Sequence, residues 1–571
     1  MTVEWEQMLR EVMDMRKRQE QDPDRTGLIH LAGFKSIYKT LVYRPELLHL
    51  FNRLSKDQRA LSSEKLLDFI RKDLCEPDTH EDTVRQLIGK HELMLEARRE
   101  NYMTIEGFVR FMNSEDNFIL RREHQQVYQD MNQPLTNYYI STSHNTYLMS
   151  DQLVGQSHLF AYRSALMRGC RCLEIDCWDG DEDEPIVFHG FTLTSKLLFK
   201  NVISVINDYA FQASPYPLIL SIENHCSVKQ QEVMAGHLTG ILGDKLITKP
   251  LGFSRFLPSP EALKAKILIK DKKIEKGAIT ALIANLHGLL GDSAVGSSAA
   301  PSKVENREMA TVLSDLVIYT ISKKFYNFLY SKEKQKFTEM NSLLEQEAQR
   351  LAQNSAQEFI QHTRRFLTRI YPNWSRIDSS NFYPQEFWNV GCQMTALNFQ
   401  TPGIPMDLQD GKFLDNGRCG YVLKPEFLRN EDCSFVPRGR KHRTQQIFFT
   451  IKVISGFLLP HESICRTKPS LIVKVQIYGV PVDEGRKQTQ VVNNAFNPQW
   501  NQSLDFIIQV PELALVRISL EDQLLMVSNE FLGQYTLPLT SMSKGYRHIP
   551  LLNKHGQSMA PASLFVHIWF H

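Results

Sequence analysis

Four short apolar runs between residues 138 and 226 each end in polar side chains that a buried strand has no ordinary use for. YYISTSHNTY delivers His144 and Asn145, CRCLEIDCWDG delivers Glu174 and Asp176, IVFHG delivers His189, and LILSIENHC delivers Glu223 and Asn224. Segments that read as helices, 150–168 and 192–209 among them, separate the runs. Strand, helix and strand in alternation predict parallel strands joined by crossovers. Polar residues at the carboxyl ends of such strands are how a (β/α)8 barrel assembles a site. A single His or Glu in that position is most often a satisfied polar residue, but four consecutive runs ending this way argue against that reading for the set.

The residue types narrow the chemistry. Carboxylate and amide oxygens suit a hard cation, Ca²⁺ or Mg²⁺, better than zinc. Two imidazoles not needed as ligands can serve as acid, base or anion stabiliser, and a metal beside them points to phosphoryl transfer.

At 571 residues the chain is too long for one core, so several domains are expected. Lys and Arg number 66 against 64 Asp and Glu, a net charge of +2 that excludes the strongly basic balance of a nucleic-acid binder. No apolar run approaches the ~20 residues that cross a bilayer, and MTVEWEQMLREVMDMRKRQEQ reads as a charged helix and not a signal peptide. Nine cysteines without framework spacing fit a reducing cytosol, with Cys170, Cys172 and Cys177 read as buried thiols and not zinc ligands. The expectation is a cytoplasmic monomer that meets membranes peripherally.

Residues 1–125 have helical spacing, and DPDRTGLIHLAG begins like a calcium loop, with Asp22, Asp24, Thr26 and Gly27 at its first, third, fifth and sixth positions. Gly33 stands at the twelfth, where a bidentate Glu belongs, so a mostly structural EF-hand scaffold is expected, with further units near 55–70 and 96–112. The first barrel half is placed at 130–274. After IVFHG and LILSIENHC as third and fourth strands comes KAKILIKDKK, a fifth, with Lys270 and Lys272 at its end. Residues 275–309 are Gly-, Ser- and Ala-rich, a flexible linker with three basic and four acidic residues, and so no polybasic tether. The second half is placed at 310–425: a sixth strand ending at Ser322, helical sequence over 341–365, a seventh strand ending in Arg369 and Tyr371, and CQMTALNFQT as the eighth. Lys270, Lys272, Ser322 and Arg369 at one barrel face would form a cationic pocket for a multiply charged anion, with Tyr371 free to stack on a ring. A connector, 426–446, ends in the basic RGRKHR, and 447–571 alternates like an antiparallel β-sandwich. The fold class is therefore multidomain α+β: a helical EF-hand domain, a split (β/α)8 barrel and a C-terminal sandwich.

STSHNTYL, GCRCLEIDCWDG, HGFTLTSKLLF and SIENHC in the first half, and IYP, DSSNFYPQEFWNVGCQMTALNFQTPG and GYVLKP in the second, give this chain a name to be compared with. It resembles eukaryotic phosphoinositide-specific phospholipase C along almost its whole length, the halves matching the X and Y regions and the sandwich a C2 domain. PELALVRISLED and NEFLGQYTLPL look most like the zeta type, which activates eggs; a delta type without its leading pleckstrin-homology domain is the near alternative. The resemblance implies Ca²⁺-dependent hydrolysis of phosphatidylinositol 4,5-bisphosphate to inositol 1,4,5-trisphosphate and diacylglycerol, triggering Ca²⁺ release, at cytoplasmic and perinuclear or nuclear membranes. It implies Asn145, Glu174, Asp176 and Glu223 as Ca²⁺ ligands, His144 and His189 as the catalytic pair, and Glu174 or Glu223 as base. Lys270, Lys272, Ser322 and Arg369 would hold ring phosphates and Tyr371 the inositol. In the sandwich, RTKPS stands where calcium aspartates are expected, and Asp522 is followed by Leu524 in place of a second Asp, so weak or absent Ca²⁺ bridging and head-group binding through basic loops are expected. The competing readings are a non-catalytic phosphoinositide-binding scaffold and a glycerophosphodiester phosphodiesterase. The intact histidines argue against the first and the cationic pocket against the second.

Overall fold

A computed structural model describes residues 43–56, 59–274, 309–439, 446–460, 469–493, 497–523 and 528–570. The calcium-loop reading at 22–33, nearly all of the interdomain linker, most of RTKPS, Leu524 and the end of RGRKHR lie outside the described residues.

Eight parallel strands close a barrel: β1 (Thr142–Ser143), β2 (Cys172–Trp178), β3 (Leu218–Asn224), β4 (Ile267–Asp271), β5 (Thr320–Lys323), β6 (Glu339–Leu344), β7 (Thr368–Tyr371) and β8 (Met394–Leu397). Neighbours pair in chain order, and β8 returns to β1 through Ala396↔Thr142 and Leu397↔Ser143.

The period-two alternation of a strand explains why the mouth is polar. Along β2, Leu173, Ile175 and Cys177 face outward into an apolar layer shared with the surrounding helices. Cys172 faces the barrel interior, where it packs with Ile219, Leu268, Met340, Leu367 and Met394 as an apolar floor. Two and four residues further along the inward face of the same strand come Glu174 and Asp176. The same step carries Ile219 on β3 to Ser221 and Glu223, Leu268 on β4 to Lys270, Leu367 before β7 to Arg369 and Tyr371, and Met394 on β8 to Ala396 and Asn398. Register completes the arrangement: Asp176 pairs with Glu223, Glu174 with Ser221, and Ser221 with Lys270.

Two strands differ from the sequence reading. Ile186–Val187 of IVFHG is a short antiparallel addition to the end of β2, pairing Cys177↔Val187, and is not a barrel strand. The eighth place is taken by β6, inside a segment read as helical from 341; Glu339–Leu344 is a strand, and the helices are Glu345–Asn354 and Ala356–Arg365. MNSLLEQEAQRLAQ has helical composition throughout, but Met340 and Leu343 must fill the floor and the outer layer of the closed sheet, so tertiary packing overrides propensity. The chain interruption consequently follows the fourth strand, not the fifth. Helices expected at 150–168 and 192–209 are shorter, Leu159–Met167 and Phe199–Tyr209, because residues 150–158 and 192–196 are loops over the barrel mouth.

On the N-terminal side, helices Pro45–Ser55, Ser63–Lys72, Glu81–His91 and Ile105–Met112 pack around Phe69, Phe108 and Phe111. Glu92 ties the second helical pair together by accepting the backbone N–H groups of Leu93, Met94 and Thr104. The C-terminal domain is an antiparallel sandwich of eight strands among the described residues, Gly485–Gln488 and Gly545–Leu552 included. A buried Arg517–Asp407 pair at 2.9 Å fixes the sandwich to the barrel. Arg547, donating to the Leu74 carbonyl at 2.6 Å, fixes it to the helical domain.

Candidate active site

Three carboxylates lead the site. Ligand oxygens of Glu174, Asp176 and Glu223 lie within 4.8 Å of one another. Glu174 and Asp176 are buried, whereas Glu223 is open to solvent. Glu174 accepts Arg369 Nη2 on Oε1 at 2.7 Å and the Asn145 backbone N–H on Oε2 at 2.9 Å. Asp176 Oδ2 accepts the Tyr147 hydroxyl at 2.6 Å, while Oδ1 is buried without a hydrogen-bond partner among the described residues. Burial, then the neighbouring charges of Glu223 and Glu174, push the Asp176 carboxyl well above the usual carboxylate range. Glu223 is held below it, chiefly by a hydrogen bond with His225 Nε2 at 3.1 Å.

Asn145 joins this cluster from a left-handed backbone conformation at φ 39°, a strained geometry of the kind that concentrates at functional sites. Its NH2 donates to Gln152 Oε1 at 2.7 Å, so the amide oxygen is what it can offer a cation. The donor set is all oxygen, which suits a hard divalent cation. The partnerless Asp176 oxygen and the mutual repulsion of the carboxylates are what such an ion would relieve. Zinc is not indicated: Cys170, Cys172 and Cys177 are buried thiols, each pushed upward by burial.

The two histidines are held differently. His189 Nδ1 lies 2.7 Å from the Gln152 carbonyl oxygen, which can only accept, so the proton sits on Nδ1 and Nε2 is the reactive nitrogen. His144 Nδ1 lies 3.0 Å from Asn398 Oδ1, and its Nε2 is 3.9 Å from Glu174 Oε2. Burial lowers the His144 pKa, against the pull of Glu174.

Cationic groups complete the mouth. Arg369 is buried beside Glu174, with its guanidinium 5.5 Å from the Tyr371 ring centroid. Lys270 is buried too, and burial and then Arg369 lower its pKa. Lys272 is exposed, and Ser322 and Tyr371 are half-buried. The structure thus joins Arg369 to the acidic cluster itself. Sequence reading missed Asn398, which carries the strand-end signal used for the other residues, and Gln152, which sits in a loop and carries none.

The chain has counterparts among known proteins. Models of the phosphatidylinositol-specific phospholipase C X and Y domains match residues 131–273 and 313–427. The family's EF-hand-like domain matches 37–122, and a C2 domain matches 448–552. The chain is 48% identical to the 1-phosphatidylinositol 4,5-bisphosphate phosphodiesterase zeta-1 of Homo sapiens, over 99% of this chain and 96% of that one. This chain belongs to the phosphoinositide-specific phospholipase C family. The delta-4 enzyme of Xenopus laevis is 44% identical over 96% of this chain and 74% of its own. The crystal structure of S. officinalis PLC21 superposes with a TM-score of 0.78 at 33% identity, covering 95% of this phospholipase and 70% of that chain.

Proposed function

We propose that this phospholipase hydrolyses phosphatidylinositol 4,5-bisphosphate in a Ca²⁺-dependent reaction, releasing inositol 1,4,5-trisphosphate and diacylglycerol, and that it triggers Ca²⁺ release in the egg as a zeta-type enzyme would. The observation that carries the reading is the pairing of an all-oxygen acidic cluster with a histidine whose free Nε2 is fixed by a backbone carbonyl on the other nitrogen.

Asn145, Glu174, Asp176 and Glu223 would hold the ion. Bound there, Ca²⁺ lowers the pKa of a coordinated hydroxyl and offsets charge on the phosphoryl oxygens. The inositol 2-hydroxyl attacks phosphorus and gives its proton to a carboxylate. Glu174 has both oxygens engaged, so Glu223 takes that role. Arg369 stabilises the negative charge that develops on the phosphoryl group, and His144 joins it when its Nε2 also carries a proton, Nδ1–H being held by Asn398. The bond from phosphorus to the glycerol oxygen breaks as His189, entering the step as the imidazolium, gives its Nε2 proton to the leaving diacylglycerol oxygen, its Nδ1–H still donating to the Gln152 carbonyl. Water opens the resulting cyclic phosphate with the proton transfers reversed. Lys270, Lys272 and Ser322 hold the ring phosphates, and Tyr371 packs on the inositol.

Membrane contact follows from the loops after β2 and β7, which leave the barrel at its mouth. They expose Phe191 at 94% and Trp374 at 85%, side chains suited to a lipid surface. Among the described residues no helix is long and apolar enough to cross a membrane, so the contact is peripheral.

The test is inositol trisphosphate release from bisphosphate-containing vesicles, titrated with free Ca²⁺, for wild type and His189→Ala. Ca²⁺-dependent release that the substitution abolishes supports the reading. A folded, vesicle-bound wild type that releases nothing at any Ca²⁺ concentration refutes it.

A further inference from the structure

Gln152 joins site residues from both halves of the barrel, although it has no charge. Its Oε1 accepts Asn145 Nδ2 at 2.7 Å. Its Nε2 donates to Ser379 Oγ at 2.8 Å and to Asn398 Oδ1 at 3.3 Å, the same oxygen that faces His144 Nδ1. Its carbonyl accepts His189 Nδ1–H, and its N–H donates to the Ile377 carbonyl at 2.8 Å. Asn145, His144 and His189 belong to the first half of the barrel, whereas Ile377, Ser379 and Asn398 belong to the second. The side chain is 6% exposed, so the network is shielded from competing water.

The donors and acceptors are mutually consistent. Asn398 Nδ2 faces the Ser380 carbonyl at 3.4 Å, which assigns the other atom as the oxygen. That oxygen accepts from Gln152, so His144 carries its proton on Nδ1. A rotation of the Gln152 amide would set an NH2 against the Asn145 NH2 and an oxygen against the Asn398 oxygen, so one orientation is enforced.

We propose that Gln152 is the positioning residue that sets Asn145, His144 and His189 relative to one another and locks that arrangement across the two barrel halves. Asn398 is its relay to His144. The proposal rests on the phospholipase reading for which of these groups react. Residues that orient a first ring of ligands and bases commonly carry 10- to 100-fold in activity, at about that order.

The experiment compares wild type, Gln152→Ala, Gln152→Glu and Asn398→Ala. Gln152→Glu keeps the acceptor for Asn145 but loses the donor to Ser379 and Asn398. One readout is kcat and KM on bisphosphate vesicles. The other is the ¹⁵N shifts of the histidine rings in chelator, with His144 and His189 assigned by their loss in alanine variants. For Gln152→Ala the expectation is a kcat lower by roughly 10- to 100-fold, with KM little changed. Gln152→Glu should fall between it and wild type. The His144 signal should leave the Nδ1–H tautomer pattern in both Asn398→Ala and Gln152→Ala. Wild-type kcat in Gln152→Ala overturns the proposal, as does wild-type kcat in Gln152→Glu if the alanine variant does not fold. A lower kcat with wild-type histidine tautomers also overturns it, since that marks general loosening. Should wild type prove inactive on the vesicles, the phospholipase reading falls, while the tautomer shifts still decide whether Gln152 orders the histidines.

Discussion

Arg369 and Glu174 form an ion pair at 2.7 Å between side chains only 4% and 5% exposed, on strands that face each other across the barrel mouth. Sequence reasoning put one in a phosphate pocket and the other in a metal cluster; the structure couples the two. Removing one partner of a buried pair typically costs about 3–5 kcal/mol, because the remaining charge is left uncompensated.

Arg369→Leu is therefore expected to lower stability in chelator by about that amount, read as a shift in the urea midpoint. The site becomes more negative, so added Ca²⁺ should restore more stability to the variant than it adds to wild type. Equal Ca²⁺ increments in the two proteins would show that Arg369 and the ion do not compensate the same charge.

Asp176 gives a second handle on the acidic cluster. Its carboxyl is raised by burial and by Glu223 and Glu174, so the folded protein binds this proton more tightly than the unfolded chain does. Its contribution is fully present below the ordinary Asp pKa and is lost as pH rises through the raised one. In chelator, wild type should lose stability over that window, and Asp176→Asn should flatten the slope and be the more stable protein at neutral pH. Asp176→Asn should also abolish Ca²⁺-dependent release, measured on the same preparation.

Lys270 and Lys272 are two residues apart, yet one is buried and the other exposed. Lys272→Ala is expected to reduce kcat/KM on the bisphosphate by about tenfold, the worth of one charge-assisted contact, and to leave hydrolysis of unphosphorylated phosphatidylinositol unchanged. Lys270 feels the charges of Arg369 and Glu174, so Lys270→Ala should slow both substrates. Rates on the two vesicle types for each variant decide it.

Much of this site could be read from the chain because a barrel strand writes its inward face at every second residue. CLEIDCW shows Glu174 and Asp176 directly, and ILIKD shows Lys270. IVFHG has the same texture, and nothing local reveals that Val187 pairs antiparallel beyond the end of β2. β6 was illegible for the opposite reason: SLLEQEAQ favours a helix, and only closure of the sheet requires Glu339–Leu344 to be extended. Gln152 was invisible because its importance lies in partners 7 to 246 residues away, and a loop glutamine has no pattern to betray them.

His362 lies on the helix Ala356–Arg365, outside the strands of the barrel. Phe325, Phe328 and Phe366 surround it with ring centroids 5.5, 5.6 and 5.1 Å away, and neither ring nitrogen has a hydrogen-bond partner among the described residues. Burial pushes its pKa down to about 3 from an ordinary 6.5. The folded protein thus binds this proton more weakly than the unfolded chain. The stability it contributes is fully present above pH 6.5 and drains away as pH falls toward 3, by on the order of a few kcal/mol. His362→Leu removes the titration and two unsatisfied polar atoms, each worth about 1–3 kcal/mol when buried. It should raise stability at neutral pH and move acid unfolding to lower pH, followed by tryptophan fluorescence in chelator. An acid midpoint unchanged from wild type would mean that protonation elsewhere, and not in this aromatic cage, opens the protein.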